Sequence, residues 1–214
     1  IYVLNQCQAT GLIVPQKRLS EVGAAAGRLP HLRIVAGTGA VVEGCLNESL
    51  QIVSFGKCLE AGGRSWPPPK QNIDMDLAAL IYTSASSGQS KGVMLTHLNI
   101  VSASTSIIKY LELKEGDVIL NVLPLSFDYG LYQVLMGFKV GGKVVLEKSF
   151  AYPHTSLQKI AQEQVTYLPL VPTLAATLLE TDCDTYDHTS IRCITNTGAV
   201  LPTDHIQQLR KRFP

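Results

Sequence analysis

Short apolar runs alternate along this chain with stretches of helical periodicity, and this alternation constrains the fold more than any other feature. Each run is the length of a buried strand, and the stretches between them carry the apolar spacing of amphipathic helices. The predicted strands span residues 11–14, 32–36, 77–82, 118–122, 143–146, 166–170 and 191–195, and the predicted helices span 20–28, 98–111, 129–138, 156–164, 173–180 and 203–212. Because strands that alternate with helices form parallel βαβ units, we expect an α/β fold with a mostly parallel β-sheet flanked by helices.

One segment interrupts this rhythm. Residues 61–76 contain Gly62-Gly63 and a run of three prolines that ends at Pro69, a composition typical of an extended surface segment. We therefore predict a βαβ portion over 1–60, a Pro/Gly-rich linker over 61–76 and an α/β core over 77–214. A domain boundary at this segment is the alternative. The linker within one larger domain is favoured because the residues before it hold only two convincing strands.

The composition argues against several classes of function. The chain has 214 residues, 46% of them hydrophobic, and a formal net charge of +1, which gives no electrostatic reason to bind nucleic acid or an anionic membrane surface. No apolar run approaches the ~20 residues of a membrane span. The five cysteines include no Cys-x-x-Cys pair, so we interpret them as small buried side chains in a reducing cytoplasm. The histidines are scattered, and we predict no metal site built from protein side chains.

A loop of small and hydroxyl residues follows the apolar run at 77–82. Its backbone N–H groups can turn toward phosphate oxygens, its hydroxyls add donors, and a lysine adds a positive charge. The residues in question are Thr83, Ser84, Ser86, Ser87, Gly88 and Lys91. The Walker pattern is not met, because Val93-Met94-Leu95 predicts that a strand, not a helix, follows the loop.

Residues 82–97 read Tyr-Thr-Ser-Ala-Ser-Ser-Gly-Gln-Ser-Lys-Gly-Val-Met-Leu-Thr-His. They closely resemble the phosphate-loop signature of the adenylate-forming enzymes, which include acyl-CoA synthetases, aryl-CoA ligases, luciferases and nonribosomal peptide adenylation domains. The chain departs from the signature at Ala85, where the family has Gly, at Ser87, where Thr is usual, and at Ser90, where Pro is usual. A Cβ at Ala85 hinders close approach of a phosphate. The resemblance implies that the six loop residues named above bind the phosphates of ATP.

Three further segments resemble family motifs in the family's order. Residues 122–130 resemble the motif whose aromatic or His residue lines the acid pocket, which implies that Phe127, Asp128 and Tyr129 lie at that pocket. Residues 170–173 resemble the start of a helix that lines the pocket. Residues 195–202 resemble the turn that packs on adenine, which implies nucleotide contacts for the segment Thr197-Gly198-Ala199. The resemblance covers residues 1–214 and is weakest before Asp76.

The resemblance implies an ATP-dependent acid–thiol ligase with Mg²⁺ as cofactor. A carboxylic acid attacks the α-phosphate to give an acyl adenylate and pyrophosphate, and the thiol of CoA or of a phosphopantetheine carrier then displaces AMP. The family's magnesium-binding Glu and catalytic Lys belong to later motifs, so no catalytic set is complete here. We therefore expect this chain to be part of the N-terminal domain of a larger enzyme and to be inactive alone. Its other expected partners are a carrier protein and, through uncovered sheet edges, further copies of itself.

Other functions stay open at this point. The apolar helices at 129–138 and 172–180 favour an aliphatic or aryl acid, as in fatty acid metabolism. In the peptide adenylation relatives an Asp early in the first of these helices holds the amino group of an amino acid, and Asp128 is a candidate for that role or for a helix cap. Ala85 and Ser90 make a non-catalytic module of this fold conceivable. A P-loop phosphotransferase or a Rossmann dehydrogenase is disfavoured, because no Gly-x-Gly-x-x-Gly opens a helix after a strand.

Overall fold

The protein divides into two compact units, Ile1–Leu95 and Thr96–Pro214. The structure, a computed structural model, describes residues 1–39, 44–47, 50–62, 69–83 and 88–213, with only the backbone of 45–47. Ser84, Ser86 and Ser87 of the predicted phosphate loop, together with Ala85, lie outside the described residues. We describe each unit by itself.

The first unit is built around a four-stranded sheet of order β1-β2-β4-β3. Its elements are α1 (Tyr2–Gln6), β1 (Gly11–Pro15), a 3₁₀ turn (Gln16–Arg18), α2 (Leu19–Ala25), a second 3₁₀ turn (Ala26–Arg28), β2 (Ile34–Thr38), β3 (Gly44–Asn47), β4 (Leu50–Ser54) and α3 (Phe55–Gly62). The pairs β1–β2 and β2–β4 are parallel, and β3–β4 is antiparallel. Val35, the second residue of β2, is fully buried in a cluster with Val22, Leu29, Leu32 and Leu50.

Four of these elements, α1, β3, β4 and α3, were not predicted from the sequence. The residues before position 61 hold four strands rather than two, and α3 occupies the start of the predicted linker as far as Gly62. The strands β3 and β4 were missed because their short antiparallel pairing, with a register irregularity between Cys45 and Asn47, has little periodic signal of its own. Residues 69–76 contain no helix or strand, while Trp66 and its neighbours at 63–68 lie outside the described residues.

A two-stranded sheet, β5 (Leu77–Thr83) and β6 (Lys91–Thr96), flanks the predicted phosphate loop. The strand predicted after the loop is therefore present. The boundary between the compact units falls after Leu95 rather than at 76, so this sheet belongs largely to the first unit. The division into a βαβ portion, a linker and a core remains a prediction.

The second unit is a parallel sheet of order β10-β9-β7-β8 with helices on both faces. Its elements are α4 (His97–Leu111), β7 (Val118–Asn121), α5 (Asp128–Lys139), β8 (Lys143–Leu146), α6 (Pro153–Glu163), β9 (Tyr167–Leu170), α7 (Pro172–Glu180), β10 (Cys193–Asn196) and α8 (Thr203–Arg212). Adjacent β7 residues face opposite sides: Ile119 packs with residues of α4 and α5, and Leu120 packs with residues of α6 and α7. The predicted fold class, a mostly parallel α/β sheet flanked by helices, is confirmed.

A capping box at Thr96 marks the start of the second unit. Thr96 is the N-cap of α4: Asn99 N donates to Thr96 Oγ1 (3.1 Å), and Thr96 N donates to Asn99 Oδ1 (2.9 Å). This reciprocal capping box satisfies two backbone donors that a helix start otherwise leaves unpaired. The helix predicted over 98–111 therefore begins one residue earlier, at His97.

A polar network ties together the amino-terminal ends of three strands in the second unit. The buried carboxylate of Asp117, just before β7, accepts two hydrogen bonds from Arg192 Nη2 (2.8 and 2.9 Å), just before β10. It also accepts from Thr166 Oγ1 (3.1 Å), just before β9, and from Lys114 N (2.8 Å). The Arg192 guanidinium lies over the Tyr167 ring, 4.8 Å from its centroid. The network joins the amino-terminal ends of β7, β9 and β10, and because these strands are parallel their carboxyl ends lie together at the opposite edge.

Candidate functional site

Three residues of the predicted phosphate loop, Thr83, Gly88 and Lys91, are among those that the structure describes. Thr83 ends β5 and Lys91 begins β6, and both are exposed. Gly88 is exposed and has φ of +84°, a conformation that glycine adopts without strain. Among the described residues no ion pair involves Lys91, so its ammonium group is available to an anion.

The glycine after Lys91 permits a close approach between the two strands that hold the loop. A Cβ at Gly92 would lie 3.1 Å from Cζ of Tyr82, so any larger residue would displace that ring. Burial is the main cause that raises the pKa of the Tyr82 hydroxyl, with smaller contributions from Cys7 and Tyr2. Together with Met94, Tyr82 and Cys7 line a cleft of about 290 Å³ beside the two-stranded sheet. Cys7 was predicted only as a buried side chain, and the cleft itself was not predicted from the sequence.

In the second unit, the turn between β7 and α5 carries the predicted acid-pocket residues. The side chain of Asn121, the last residue of β7, is 1% exposed. Its Nδ2 donates to Gly130 O (3.0 Å), and its Oδ1 accepts from Leu123 N (3.1 Å). A Cβ at Gly130 would overlap the carbonyl oxygen of Pro124, so glycine lets the first turn of α5 lie against the preceding chain. Sequence reasoning did not single out Asn121.

Phe127 and Asp128 lie at the start of α5. Phe127 occupies the N-cap position with no side-chain capping bond, and its ring is 44% exposed. Asp128 is the first helical residue, and its Oδ1 accepts from Tyr129 N (2.8 Å). A carboxylate in the first turn interacts favourably with the helix dipole, but the N-cap position belongs to Phe127, so Asp128 is not the helix cap that the sequence offered as an alternative. The exposed carboxylate is also accessible to a cation.

Tyr129 connects this segment to the neighbouring strand β10. Its hydroxyl lies 2.6 Å from Thr195 Oγ1, a hydrogen bond in which either oxygen can donate. Burial raises the pKa of the Tyr129 hydroxyl to about 12, although the hydrogen bond with Thr195 lowers it. The phenol is therefore neutral near pH 7. Tyr129 was predicted at the pocket, but its partner Thr195 was not predicted to contact it.

The predicted adenine-contacting turn follows β10. Thr197 N donates to Leu170 O (3.4 Å) at the end of β9, and Asn196 Nδ2 donates to Ala199 O (2.9 Å) across the turn. Gly198 has φ of +86° and faces Val171, since a Cβ there would lie 3.7 Å from Val171 Cγ1. Gly198 and Ala199 are exposed and Thr197 is half-buried. The turn therefore presents backbone groups and little side-chain bulk, as contact with a flat ring requires.

The second unit thus brings two predicted groups to one edge of its sheet. The start of α5 follows β7, the turn at 197–199 follows β10, and the Tyr129–Thr195 hydrogen bond joins the two. Ligands of open parallel sheets bind outside the carboxyl ends of the strands, where these residues lie. A further cavity of about 630 Å³, which the sequence analysis missed, lies between β10 and α8 and is lined by Ile194, Ile206 and Leu209 among others.

Two properties of the described residues concern metal binding and membrane insertion. No group of three or more His, Cys, Asp or Glu side chains in the described part of the chain is arranged to hold a metal ion. None of the helices that the structure describes combines the length and the apolar character needed to cross a bilayer.

Comparison with known proteins identifies the family. The model of the AMP-binding enzyme family matches residues 1–214. The chain belongs to the AMP-binding enzyme family, as the four sequence motifs predicted. It is 31% identical over 203 residues to 4-coumarate–CoA ligase 5 of Oryza sativa subsp. japonica, an alignment that covers 92% of this chain and 36% of the rice protein.

Solved structures with the same fold include two adenylate-forming enzymes with bound ligands. The anthranilate CoA ligase AuaEII in complex with anthranoyl-AMP superposes with a TM-score of 0.85 at 23% identity, over 99% of this chain and 40% of that one. ATP-bound MatB from Rhodopseudomonas palustris superposes with a TM-score of 0.79 at 22% identity, over 98% of this chain and 39% of that one. The chain therefore spans 36% to 40% of the length of these three proteins.

Proposed function

We propose that the whole protein is an AMP-forming ligase that joins a carboxylic acid to a thiol at the expense of ATP. The observation that carries the proposal is the match of the AMP-binding enzyme family to residues 1–214. The relatives' names support it, since 4-coumarate–CoA ligase and anthranilate CoA ligase each pair an aromatic acid with CoA. The ligands named for the related structures, ATP and an acyl-AMP, are the expected substrate and intermediate.

The reaction has two displacement steps. A carboxylate oxygen bonds to the α-phosphorus of ATP while the bond to the pyrophosphate oxygen breaks, which gives an acyl adenylate. The thiol sulfur then bonds to the acyl carbon, the carbon–oxygen bond to AMP breaks, and the thiol proton is released. Because the acid and ATP are both anionic, catalysis depends on positioning and charge neutralisation. Mg²⁺ would neutralise phosphate charge, and we assign none of the described residues as its ligand.

The loop after β5 is our proposed site for the β- and γ-phosphates. Gly88 supplies a turn with positive φ and no side-chain bulk, and Lys91 supplies an exposed positive charge without an ion-pair partner in the described chain. The hydroxyls of Thr83, Ser84, Ser86 and Ser87 complete the proposed donor set. The turn Thr197-Gly198-Ala199 is the proposed contact for adenine, because it is open and carries small residues.

The start of α5 is the proposed wall of the acid pocket. Phe127 offers an exposed aromatic ring, and Tyr129 offers a half-buried ring whose hydroxyl is already bonded to Thr195. Residues 129–138 contain no charged side chain and residues 172–180 contain only Glu180, so Asp128 is the one charged residue of the segment 127–138. This environment favours an aryl or fatty acid over a zwitterion.

An amino-acid-activating enzyme is the second candidate. Asp128 supports it, because its carboxylate is exposed beside Phe127 and can pair with an ammonium group. A panel of fatty, aryl and amino acids in ATP–pyrophosphate exchange separates the candidates. A preference for an amino acid that Asp128→Ala abolishes would establish the second candidate. Absence of exchange with every acid would favour a non-catalytic module, which the departures at Ala85 and Ser90 make conceivable.

The phosphate assignment is tested by Lys91→Ala in the whole protein, with Lys109→Ala on α4 as a control for an exposed lysine. A hydrogen bond to a charged group contributes ~1.5–3 kcal/mol, so exchange at low ATP should fall ~10- to 100-fold. The melting temperature should stay nearly unchanged, because exposed side chains contribute little to stability. Equal exchange rates for the Lys91 and Lys109 variants would refute the assignment.

The acceptor and location of the enzyme are also proposals. We propose CoA as the thiol acceptor, as in the relatives' names, with a phosphopantetheine carrier protein as the alternative. Trapping of acyl-CoA with the preferred acid distinguishes them. We propose a cytoplasmic location because the described cysteines are all free. Cell fractionation checks it, and recovery outside the cytoplasm would overturn it.

A further inference from the structure

Asn121 makes contacts that no apolar residue of its size can make. Its amide is buried at the carboxyl end of β7 and uses both of its polar ends. Nδ2 donates to Gly130 O in the first turn of α5, and Oδ1 accepts from Leu123 N in the turn after the strand. The side chain therefore fastens the end of a strand to the start of the next helix across nine residues of sequence.

A second feature constrains the same turn. A Cβ at Gly130 would lie 3.0 Å from Leu123 O and still closer to Pro124 O, so the helix start and the turn are in backbone contact. Backbone hydrogen bonds complete the turn, from Phe127 N to Pro124 O (3.1 Å) and from Leu131 N to Phe127 O (3.0 Å). This close contact requires that the turn after β7 and the start of α5 stay aligned with each other. The Asn121 amide maintains the alignment, because it bonds to both segments.

We propose that Asn121 is a positioning residue for acid recognition: it holds the Phe127-Asp128-Tyr129 segment in the one geometry that forms the acid pocket. The inference rests on the proposed function, in which these three residues line that pocket. Asn121 is buried beneath them and does not contact the substrate. Its effect is transmitted through Gly130 O, the carbonyl that follows Tyr129, and through Leu123 N at the other end of the turn.

The expected consequence is selective for the acid. A misplacement of ~1 Å at a binding group can cost ~100-fold in rate, so a loosened helix start should weaken acid use strongly. The phosphate loop lies on other elements, β5 and β6, and does not include this turn. Loss of the Asn121 contacts should therefore raise KM for the acid while leaving KM for ATP nearly unchanged.

Gln133 provides a matched control. It is also a buried amide of the same helix, and its Nε2 donates to Tyr129 O (3.1 Å). That bond lies within α5 and does not connect the helix to β7. Gln133→Leu removes a buried amide but leaves the contact between strand and helix intact. A merely structural effect of losing a buried amide should appear in both variants.

The experiment uses the whole protein and compares wild type, Asn121→Ser, Asn121→Asp and Gln133→Leu. Pyrophosphate exchange gives KM for the preferred acid and for ATP, and hydrogen exchange with mass spectrometry reports on the backbone of residues 122–131. Asn121→Asp preserves side-chain volume and the acceptor for Leu123 N, and its ionised form has no donor for Gly130 O, so measurements at a pH where the carboxyl is ionised test loss of that donor without a cavity. If one Asn121 variant does not fold, the other is measured.

We expect the Asn121 variants to raise the ratio of KM for the acid to KM for ATP by ~10- to 100-fold and to exchange amide hydrogens faster over 122–131 than Gln133→Leu does. A ratio within twofold of the Gln133→Leu value, or unchanged exchange over 122–131, would overturn the positioning role. If the wild type catalyses no acid-dependent exchange, the proposed function fails, and the hydrogen-exchange comparison still decides whether Asn121 fixes the turn.

Discussion

The Tyr129 hydroxyl offers a quantitative test of how α5 packs on β10. Burial raises its pKa from the ordinary value of 10.0 to about 12. Below pH 10 the phenol is protonated in both the folded and the unfolded chain, so its contribution to stability is fully present. As the pH rises from 10 to 12, the unfolded chain releases the proton and the folded chain keeps it. The free energy of unfolding should therefore fall by ~1.4 kcal/mol per pH unit in this window.

The assay is denaturant unfolding at a series of pH values for wild type and Tyr129→Phe. Because the chain has eight tyrosines, only the difference between the two proteins isolates this hydroxyl. Below pH 10 the wild type should be more stable by ~1 kcal/mol, the usual net contribution of one hydrogen bond. The raised pKa then removes ~3 kcal/mol by pH 12, so that the order of stability should reverse.

Thr195→Val is the matched control, since it keeps the side-chain shape and removes the hydroxyl that faces Tyr129. That hydrogen bond lowers the pKa of Tyr129, so the variant should ionise Tyr129 at a higher pH than wild type does. Tyrosinate absorbance measures this shift. The absorbance of the double variant Thr195→Val/Tyr129→Phe is subtracted from that of Thr195→Val, which leaves the ionisation of Tyr129 alone. A stability difference that stays constant between pH 10 and 12, or ionisation near 10, would refute the burial of this hydroxyl.

Three further predictions concern the second unit. Asp117→Ala removes one acceptor each from Arg192 Nη2, Thr166 Oγ1 and Lys114 N. Because Arg192 Nη2 keeps Glu112 O and Thr166 Oγ1 keeps Val118 O as acceptors, the free energy of unfolding should fall by ~1–3 kcal/mol in urea denaturation, and a smaller loss would show that the network is not formed. Gly137→Ala places a Cβ against Val144 Cγ2, so it should cost ~1–3 kcal/mol and be largely relieved by Val144→Ala; equal losses with and without that second change would contradict the close packing. The outer strands β8 and β10 of the described sheet should let the 214-residue chain self-associate at high concentration, and light scattering that finds only monomer would contradict this.

Sequence reasoning was most accurate where one short segment carries the whole signal. The seven predicted strands and six predicted helices are all present with small shifts at their ends, because the apolar period of a strand or helix is local. The capping box between Thr96 and Asn99 is equally local, since the two residues are three apart, although the sequence analysis did not predict it. The missed elements α1, β3, β4 and α3 are short, and their placement depends on the neighbouring elements with which they pack.

The functional site also has parts that the sequence predicted and parts that only the structure shows. The sequence by itself determined the family, because its motifs are contiguous and occur in the family's order. The phosphate loop and the pocket residues Phe127, Asp128 and Tyr129 are predictions from the same motifs. Only the tertiary structure decided that Asn121 is buried and bonded at both ends, that Tyr129 meets Thr195, and that Asp117 meets Arg192. The last two pairs are 66 and 75 residues apart in sequence. The order of the strands in the sheet decides which distant polar residues become buried partners. That order cannot be predicted from the residues of any single strand.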